Sequence, residues 1–445
     1  MKKVVIVGAG PAGLFAAYEL SKHDDLKVFV IDKGKSVLSR KRSDVMCGVG
    51  GAGLFSDGKL NFTPSLSLAT LYDFLSHEQV DELLVNVEKI FLKMGMNNDV
   101  YPKDNNKVDL LKKKCNEHGV ELKVKKIRHI GSDILPRLIS DFEKKLVGNG
   151  VNFLLEESVE EVLVKNKKVL GVRTDKRVID ADFVIVCAGR FGFNFFSKLI
   201  KNFGLDKSYQ PIWVGVRVEF PSSILKSVSD ILWEPFFYVT TSKTDDVVRT
   251  YCTCPYGYVS IEDYENFVCV NGHSTSDVPS ENSNFALVYK VALTEPVENT
   301  ISYGKSIAML TTNIGGGKPI IQRLGDLRKG RRSTWSRISK SYVIPTLRQV
   351  TPGDISMALP SRAVSNLLEA LDKLDKVIPG VASDSTLLYA PEVKLTSAKI
   401  KTDKFLETSV GCLFVAGDGA GVSGNIVGAA CTGIIAARGI VNKNL

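Results

Sequence analysis

The stretch that decides the fold is Val4-Val5-Ile6-Val7-Gly8-Ala9-Gly10-Pro11-Ala12-Gly13-Leu14-Phe15-Ala16-Ala17-Tyr18-Glu19-Leu20. The short unbroken apolar run over 3–7 reads as a strand buried on both faces of a parallel sheet. The apolar spacing after Gly13 reads as a helix. Between them stands G-x-G-x-x-G, and each glycine has its own task. Gly8 permits the tight strand-to-helix turn, Gly10 lets backbone approach a pyrophosphate, and Gly13 lets helix and strand pack closely. Pro11 and Ala12 open the helix, whose N–H groups and positive dipole end suit phosphates. A second apolar run, Val28-Phe29-Val30-Ile31, ends in Asp32, with Lys33 behind it. An acid at that strand tip can accept hydrogen bonds from a ribose diol. Strand, turn, helix and acid together predict a dinucleotide-binding unit.

The next glycine cluster tests how much the motif alone is worth. Gly48-Val49-Gly50-Gly51-Ala52-Gly53 has the same spacing, but RKRSDVMC precedes it in place of a strand, and Phe55-Ser56-Asp57-Gly58-Lys59 follows in place of a helix. It is therefore no second fingerprint. Its Gly50, Gly51, Ala52, Gly53, Ser56, Asp57, Gly58 and Lys59 are expected to wrap backbone around a cofactor held at the first site.

Two later runs indicate which dinucleotide. Residues 182–189 form an apolar strand ending in Ala188-Gly189, with Arg190 next. Residues 412–419 repeat the scheme with Gly417-Asp418, and Gly424-Asn425-Ile426 opens a helix of small apolar residues. In this order the chain resembles the flavoproteins with two dinucleotide-binding motifs, whose FAD domain is discontinuous. The resemblance implies FAD, held non-covalently, with Asp418 on the ribityl chain, Asn425-Ile426 near the isoalloxazine and the Val159 backbone beside the adenine. GVGGAGLFSDGKL (48–60), RHIGSD (128–133), GVRVE (215–219) and AGDGAGVSGNIVGAACTGIIAA (416–437) are similar, more closely, to the family of largely uncharacterised FAD-dependent dehydrogenases. That family implies a cytosolic redox role and no particular substrate. Its members carry Met where His273 stands here, so no catalytic histidine follows from the resemblance.

With 58 Lys+Arg against 49 Asp+Glu the net charge is only +9 over 445 residues, which reads as a solvated basic surface and not a nucleic-acid patch. No apolar run reaches the length of a bilayer span, and the glycines at 8–13 break the imitation of a signal peptide, so a cytoplasmic protein is expected. The eight cysteines lack C-x-x-C and zinc-finger spacing, so no metal site is expected.

The fold class expected is α/β: a discontinuous Rossmann-like FAD-binding domain with an inserted mixed α/β substrate domain and a helical insertion. The boundaries are 1–64, 128–207 and 386–445 for the three parts of the FAD domain, 65–127 for the helical insertion and 208–385 for the substrate domain. Within 208–385, His273 is placed on a loop as a candidate proton donor. Arg217 and Glu219 share a strand face, either as an ion pair or with Arg217 receiving a substrate carboxylate. Cys252 and Cys254 also share a face and are read as buried thiols, with a strained disulfide as the alternative.

The chain has no second NAD(P)H domain, no disulfide-reductase cysteine pair and no Asp-Gly hydroxylase motif after Ala188-Gly189. These gaps favour a dehydrogenase or reductase passing hydride between flavin and a small-molecule substrate, with NAD(P)H or a protein as external electron partner. An FAD-dependent monooxygenase and a non-catalytic FAD-binding redox sensor or scaffold are the alternatives. No oligomeric state is set by the sequence.

Overall fold

The computed structural model describes residues 1–41, 44, 46–56, 58–66, 69–96, 99–130, 134–264, 266–274, 278–394 and 398–444. The chain divides into two compact units, one of residues 1–99, 128–210 and 396–445, the other of 100–127 and 211–395.

The first unit is built on a parallel sheet. Its strand order is Leu413–Val415, Phe183–Val186, Lys2–Val7, Leu26–Asp32, Asn152–Leu155. Val4, Val5 and Ile6 are fully buried, as their unbroken apolar run requires. The chain goes outward on one side of Lys2–Val7 and later on the other, so strand order reverses there and a crevice opens at its carboxyl end.

The helices Pro11–Leu20 and Ile426–Asn444 pack together with their backbones nearly touching. A Cβ on Gly433 would overlap the Ala12 carbonyl, which explains the small-residue run 428–439. Ile426–Asn444 is long and apolar enough to cross a bilayer by composition, yet most of it is buried inside this unit, where it serves as a core helix. A side sheet carries the hairpin Val159–Lys165/Lys168–Thr174, turned by Asn166 and Lys167 at φ +51° and +56°.

The second unit centres on a mixed eight-stranded sheet. Its order is Thr351–Pro352, Ile320–Arg323, Leu387–Lys394, Ile212–Pro221, Asn282–Val291, Val247–Cys254, Phe236–Thr240, Val120–Lys123. The pairs are antiparallel except Ile320–Arg323 with Thr351–Pro352. In Ile212–Pro221, Ile212, Val214, Val216, Val218 and Phe220 enter an apolar core shared with the helix Ser361–Val377. The opposite face carries Trp213, Arg217 and Glu219, all buried.

Two expected boundaries shift. The segment 65–127 is not one insertion: the helix His77–Lys93 belongs to the first unit, while the helix Asn105–Glu117 and the strand Val120–Lys123 belong to the second, where that strand pairs with Phe236–Thr240. Residues 386–394 also leave the FAD domain, because Leu387–Lys394 is laddered to Ile212–Pro221.

Candidate functional site

At the carboxyl edge of the parallel sheet, six separate segments meet. Gly8 adopts φ +107° and donates to the Ile31 carbonyl at 2.8 Å. A Cβ on Gly13 would overlap the Gly8 carbonyl, so the helix lies directly on the turn. No side chain caps the helix at Gly10, which leaves its first amides directed along the axis at the edge. Asp32 ties three loops together. Its Oδ2 accepts from the Ala9 N–H at 2.8 Å, and its Oδ1 accepts from Gly34 at 2.8 Å and Gly48 at 2.7 Å. Lys33 rests its ammonium 3.9 Å from the Phe191 ring centre.

The second glycine loop is pressed onto the first. Gly50 donates to the Ala9 carbonyl at 2.9 Å, a Cβ on Gly51 would stand 3.0 Å from the Gly10 Cα, and Gly53 faces Pro11 and Ile426. Ala52 lies in the 3₁₀ turn Gly51–Phe55. Ser56 Oγ donates to the Gly53 carbonyl at 2.8 Å, and the Gly58 carbonyl accepts from Ile130 at 2.9 Å. Lys59 is buried, and Asp57 lies outside the described residues. Arg40, absent from the sequence expectations, holds this loop by donating to the carbonyls of Val49, Gly51 and Asp44 at 2.6, 3.0 and 2.8 Å. Its burial lowers the guanidinium pKa from its ordinary value. In the sequence it stands in a basic run, which reads as surface.

The remaining segments arrive from the adjoining strands. Val159 is brought in by Glu156 and Glu157, which donate to the carbonyls of Gly34 and Asp32 at 2.9 and 3.1 Å. Arg190 and Asp418 face each other, Nε to Oδ2 at 3.8 Å, and a Cβ on Gly419 would overlap the Ala188 carbonyl. Gly417, at φ +78°, donates to Thr432 Oγ1 at 3.1 Å. After Gly424, the Asn425 Oδ1 accepts from Gly428 at 2.7 Å and so caps the helix Ile426–Asn444.

In the second unit the structure corrects two expectations. Arg217 does not pair with Glu219. Its Nη1 stands 3.6 Å from Glu392 Oε2, and its Nε donates to Asn284 Oδ1 at 2.8 Å. Its Nη2 donates to the Cys252 carbonyl at 2.6 Å and faces Cys254 Sγ at 3.4 Å and Cys252 Sγ at 3.7 Å. With 0% exposure the guanidinium is enclosed by protein, which does not suit a substrate-carboxylate clamp. Glu219 instead accepts from Tyr389 Oη and Thr346 Oγ1, both at 2.5 Å. Spacing put both residues on one face, but sheet register chose their partners. His273 is not on a loop. It ends the strand Phe267–His273 and stacks on Tyr258 at 5.7 Å.

Tyr251 Oη donates to Glu392 Oε1 at 2.6 Å. Burial pushes the Glu392 carboxyl up to about 7 against the opposing pull of Arg217. Burial likewise raises Glu219, against its hydrogen bonds.

Residues 211–395 match the family described as FAD-dependent protein, C-terminal domain-like, and residues 6–60 match the NAD(P)-binding Rossmann-like domain. One of the two matched domains is thus that of an FAD-dependent protein. Over 99% of its length it is 27% identical to an uncharacterised protein of Clostridium beijerinckii, of which it covers 80%. Among solved structures it is similar to a glycine oxidase from Bacillus cereus (10% identity, TM-score 0.43, covering 100% of this chain and 96% of that one). It is also similar to an L-proline dehydrogenase from P. horikoshii (14% identity, TM-score 0.41, covering 99% and 94%).

The sheet edge suits FAD. Among the described residues, a Cβ on Gly10 would meet only the Gly51 Cα, at 3.9 Å, and one on Gly189 would meet nothing within 4 Å. Open space therefore lies beside an uncapped helix N-terminus, the setting in which pyrophosphate binds. Asp32 uses three of its roughly four acceptor positions on backbone, which leaves one for a ribose hydroxyl.

Proposed function

We propose that this FAD-dependent oxidoreductase is a dehydrogenase or reductase that passes hydride between non-covalently bound FAD and a small organic substrate. The observation that carries the proposal is the gathering of the fingerprint turn, Asp32, the glycine loop held by Arg40, and the Arg190–Asp418 pair at one sheet edge. Bound FAD supplies the two-electron chemistry. The chain's own residues position and shield. Gly8, Gly10, Pro11, Ala12 and Gly13 present backbone to the pyrophosphate, with Asp32 on the adenosine ribose. Asp418 accepts from the ribityl hydroxyls, and the N-terminus of the helix Ile426–Asn444 stabilises negative charge near it. Unit 211–395 recognises the substrate. NAD(P)H or a protein serves as external electron partner, in the cytoplasm.

The test is an anaerobic absorbance spectrum of the purified protein, followed by addition of NADH, NADPH and a panel of amino acids, hydroxy acids and enones. A yellow protein bleached by one compound and reoxidised by another is the expected result. Failure to retain or rebind FAD would remove the basis of the proposal.

A further inference from the structure

Cys252 and Cys254 belong to the second unit, outside the segments that form the cofactor edge, and a buried cation lies beside both. No disulfide joins any of the eight cysteines. Cys47 and Cys412 are half-buried, and in both burial pushes the thiol up. Cys187 and Cys431 are buried, with the Cys431 thiol pushed up to about 12. Cys252 and Cys254 instead share one fully buried guanidinium donor, Nη2 of Arg217, at 3.7 and 3.4 Å, while the Cys252 sulfur also faces Asn271 Oδ1 at 3.6 Å and the Gly272 carbonyl at 3.9 Å. A neighbouring cation favours the thiolate, the nucleophilic form of sulfur.

The backbone is also shaped for the pair. In a regular strand, Cα atoms two residues apart are separated by roughly 6.6 Å, at the long end of the roughly 4.4–6.8 Å seen in disulfides. Here the ladder is irregular between Tyr251 and Cys254, and Cys252 adopts φ +49°, a left-handed conformation uncommon for a side-chain-bearing residue. The Cys252 N–H is held by Glu234 Oε1 at 2.8 Å, and the Cys254 thiol lies 3.3 Å from the Cys252 carbonyl. Gly272 leaves the room that this arrangement needs, since a Cβ there would overlap Arg217 Nη2 and Asn284 Oδ1. Exposure divides the two roles. Cys252 is partly exposed, whereas Cys254 is fully buried.

We infer that Cys252 and Cys254, organised by Arg217, form a two-electron redox site that reduces hydroperoxides. The Cys252 thiolate attacks the terminal oxygen of ROOH. The S–O bond forms as the O–O bond breaks, and the departing RO⁻ takes a proton and leaves as ROH. The Cys254 sulfur then attacks the Cys252 sulfur. The S–S bond forms, the S–O bond breaks, and the hydroxyl leaves as water with the Cys254 proton. Two thiols lose two protons and two electrons, and one peroxide becomes one alcohol and one water.

A single turnover tests this in the full chain. The protein is reduced, desalted anaerobically and given one equivalent of hydrogen peroxide at pH 7. It is then quenched with N-ethylmaleimide at intervals and mapped by peptide mass. The expected product is a 252–254 disulfide within one peptide, formed about tenfold or more faster than any loss of alkylation at Cys47 or Cys412. Cys254→Ser should stop at a sulfenic acid on Cys252 that dimedone traps, and Cys252→Ser should leave Cys254 reduced. Thermal melts of both variants report whether they fold, and the wild-type map stands without them. Oxidation of Cys252 no faster than Cys47 and Cys412 would overturn the inference. Over-oxidation of Cys252 with Cys254 left alkylated would do the same. The test does not depend on FAD or its reductants, so it can fail while the flavin reading stands.

Discussion

The two units organise polar groups by opposite means. At the parallel-sheet edge the donors and acceptors are backbone, set by glycines whose conformations or contacts a side chain would spoil, and one carboxylate, Asp32, joins three loops. In the eight-stranded sheet the polar groups are side chains. Arg217, Asn284, Cys252, Cys254 and Glu392 come from four strands and converge in a buried space. A backbone site is written in local spacing. A side-chain site exists only once distant strands have taken the right register. The two should therefore fail differently when perturbed.

The sharpest break is expected at Arg217. Replacing it with Met leaves Glu392 buried without its counter-ion, which at pH 8 and above, where the carboxylate is ionised, should cost about 3–5 kcal/mol. Urea unfolding followed by Trp fluorescence measures it, and FAD retention at low denaturant should be unchanged. The double variant Arg217→Met/Glu392→Leu should recover most of the loss. A single-variant cost below about 1 kcal/mol would mean that the ion pair does not organise this cluster.

The counterpart in the first unit is Gly13→Ala. Its Cβ would overlap the backbone carbonyl of Gly8, which has no side chain to swing aside, so about 3 kcal/mol of stability and FAD binding should be lost together. Coincident loss of flavin colour and of helical circular dichroism at a lower temperature is the readout. Retained colour would show that the turn can relax.

The buried acid gives a pH signature confined to the second unit. The folded value of Glu392, about 7, lies above its ordinary 4.5. Its contribution is therefore fully present below pH 4.5, is lost as pH rises through about 7, and is flat beyond. The span is on the order of 3 kcal/mol. Glu219 adds a slope of the same sign, so the comparison is wild type against Glu392→Gln at pH 5 and pH 8. The variant should show a smaller fall, and equal falls would place the titration elsewhere.

This contrast also explains what could be read before the fold was known. The turn at 8–13, Asp32, the strand ending at Ala188-Gly189 and the Gly417-Asp418 motif were legible because each is a local pattern with one physical purpose. Arg40 was not, because a basic residue in the run 40–42 carries no sign of the carbonyls it will meet. Glu392 was assigned to the wrong domain. It follows Pro391, a residue that argues against a central strand, yet Leu387–Lys394 lies inside the sheet between two neighbours. Arg217 and Glu219 were correctly placed on one face, since strand periodicity is local. Their partners, Glu392 and Tyr389, come from the neighbouring strand, more than a hundred residues away. The segment 65–127 looked uniformly helical, and nothing in its periodicity marks where one unit ends and the other begins.

A smaller effect is expected at Asn425. Its side-chain oxygen satisfies the Gly428 amide at the start of the helix Ile426–Asn444, and Asn425→Ala should cost about 1 kcal/mol, measured by thermal melting. If this residue also lies against the flavin, the visible spectrum should shift in the same variant. A melting change with an unaltered spectrum would confine it to capping.

The smallest effect on stability is expected at Gly10, and there the comparison becomes most discriminating. Gly13 and Gly10 belong to the same fingerprint, but their surroundings differ. A Cβ at position 13 has nowhere to go, whereas one at position 10 would meet, among the described residues, only the Gly51 Cα at 3.9 Å, an ordinary contact. The φ of Gly10 is −73°, a value any residue adopts, so Gly10→Ala carries no backbone strain. The fold therefore does not need glycine there, and the folded protein should melt within about 0.5 kcal/mol of wild type. The remaining reason for glycine is close approach of a phosphate to the chain. Gly10→Ala should accordingly weaken FAD binding by about tenfold or more while leaving the melt of the FAD-free protein in place, as a flavin fluorescence titration can read. If affinity is unchanged, the open space at the sheet edge is not where the pyrophosphate lies. If stability falls as far as in Gly13→Ala, the two glycines serve the fold alike, and the separation of a packing role from a binding role within this turn is lost.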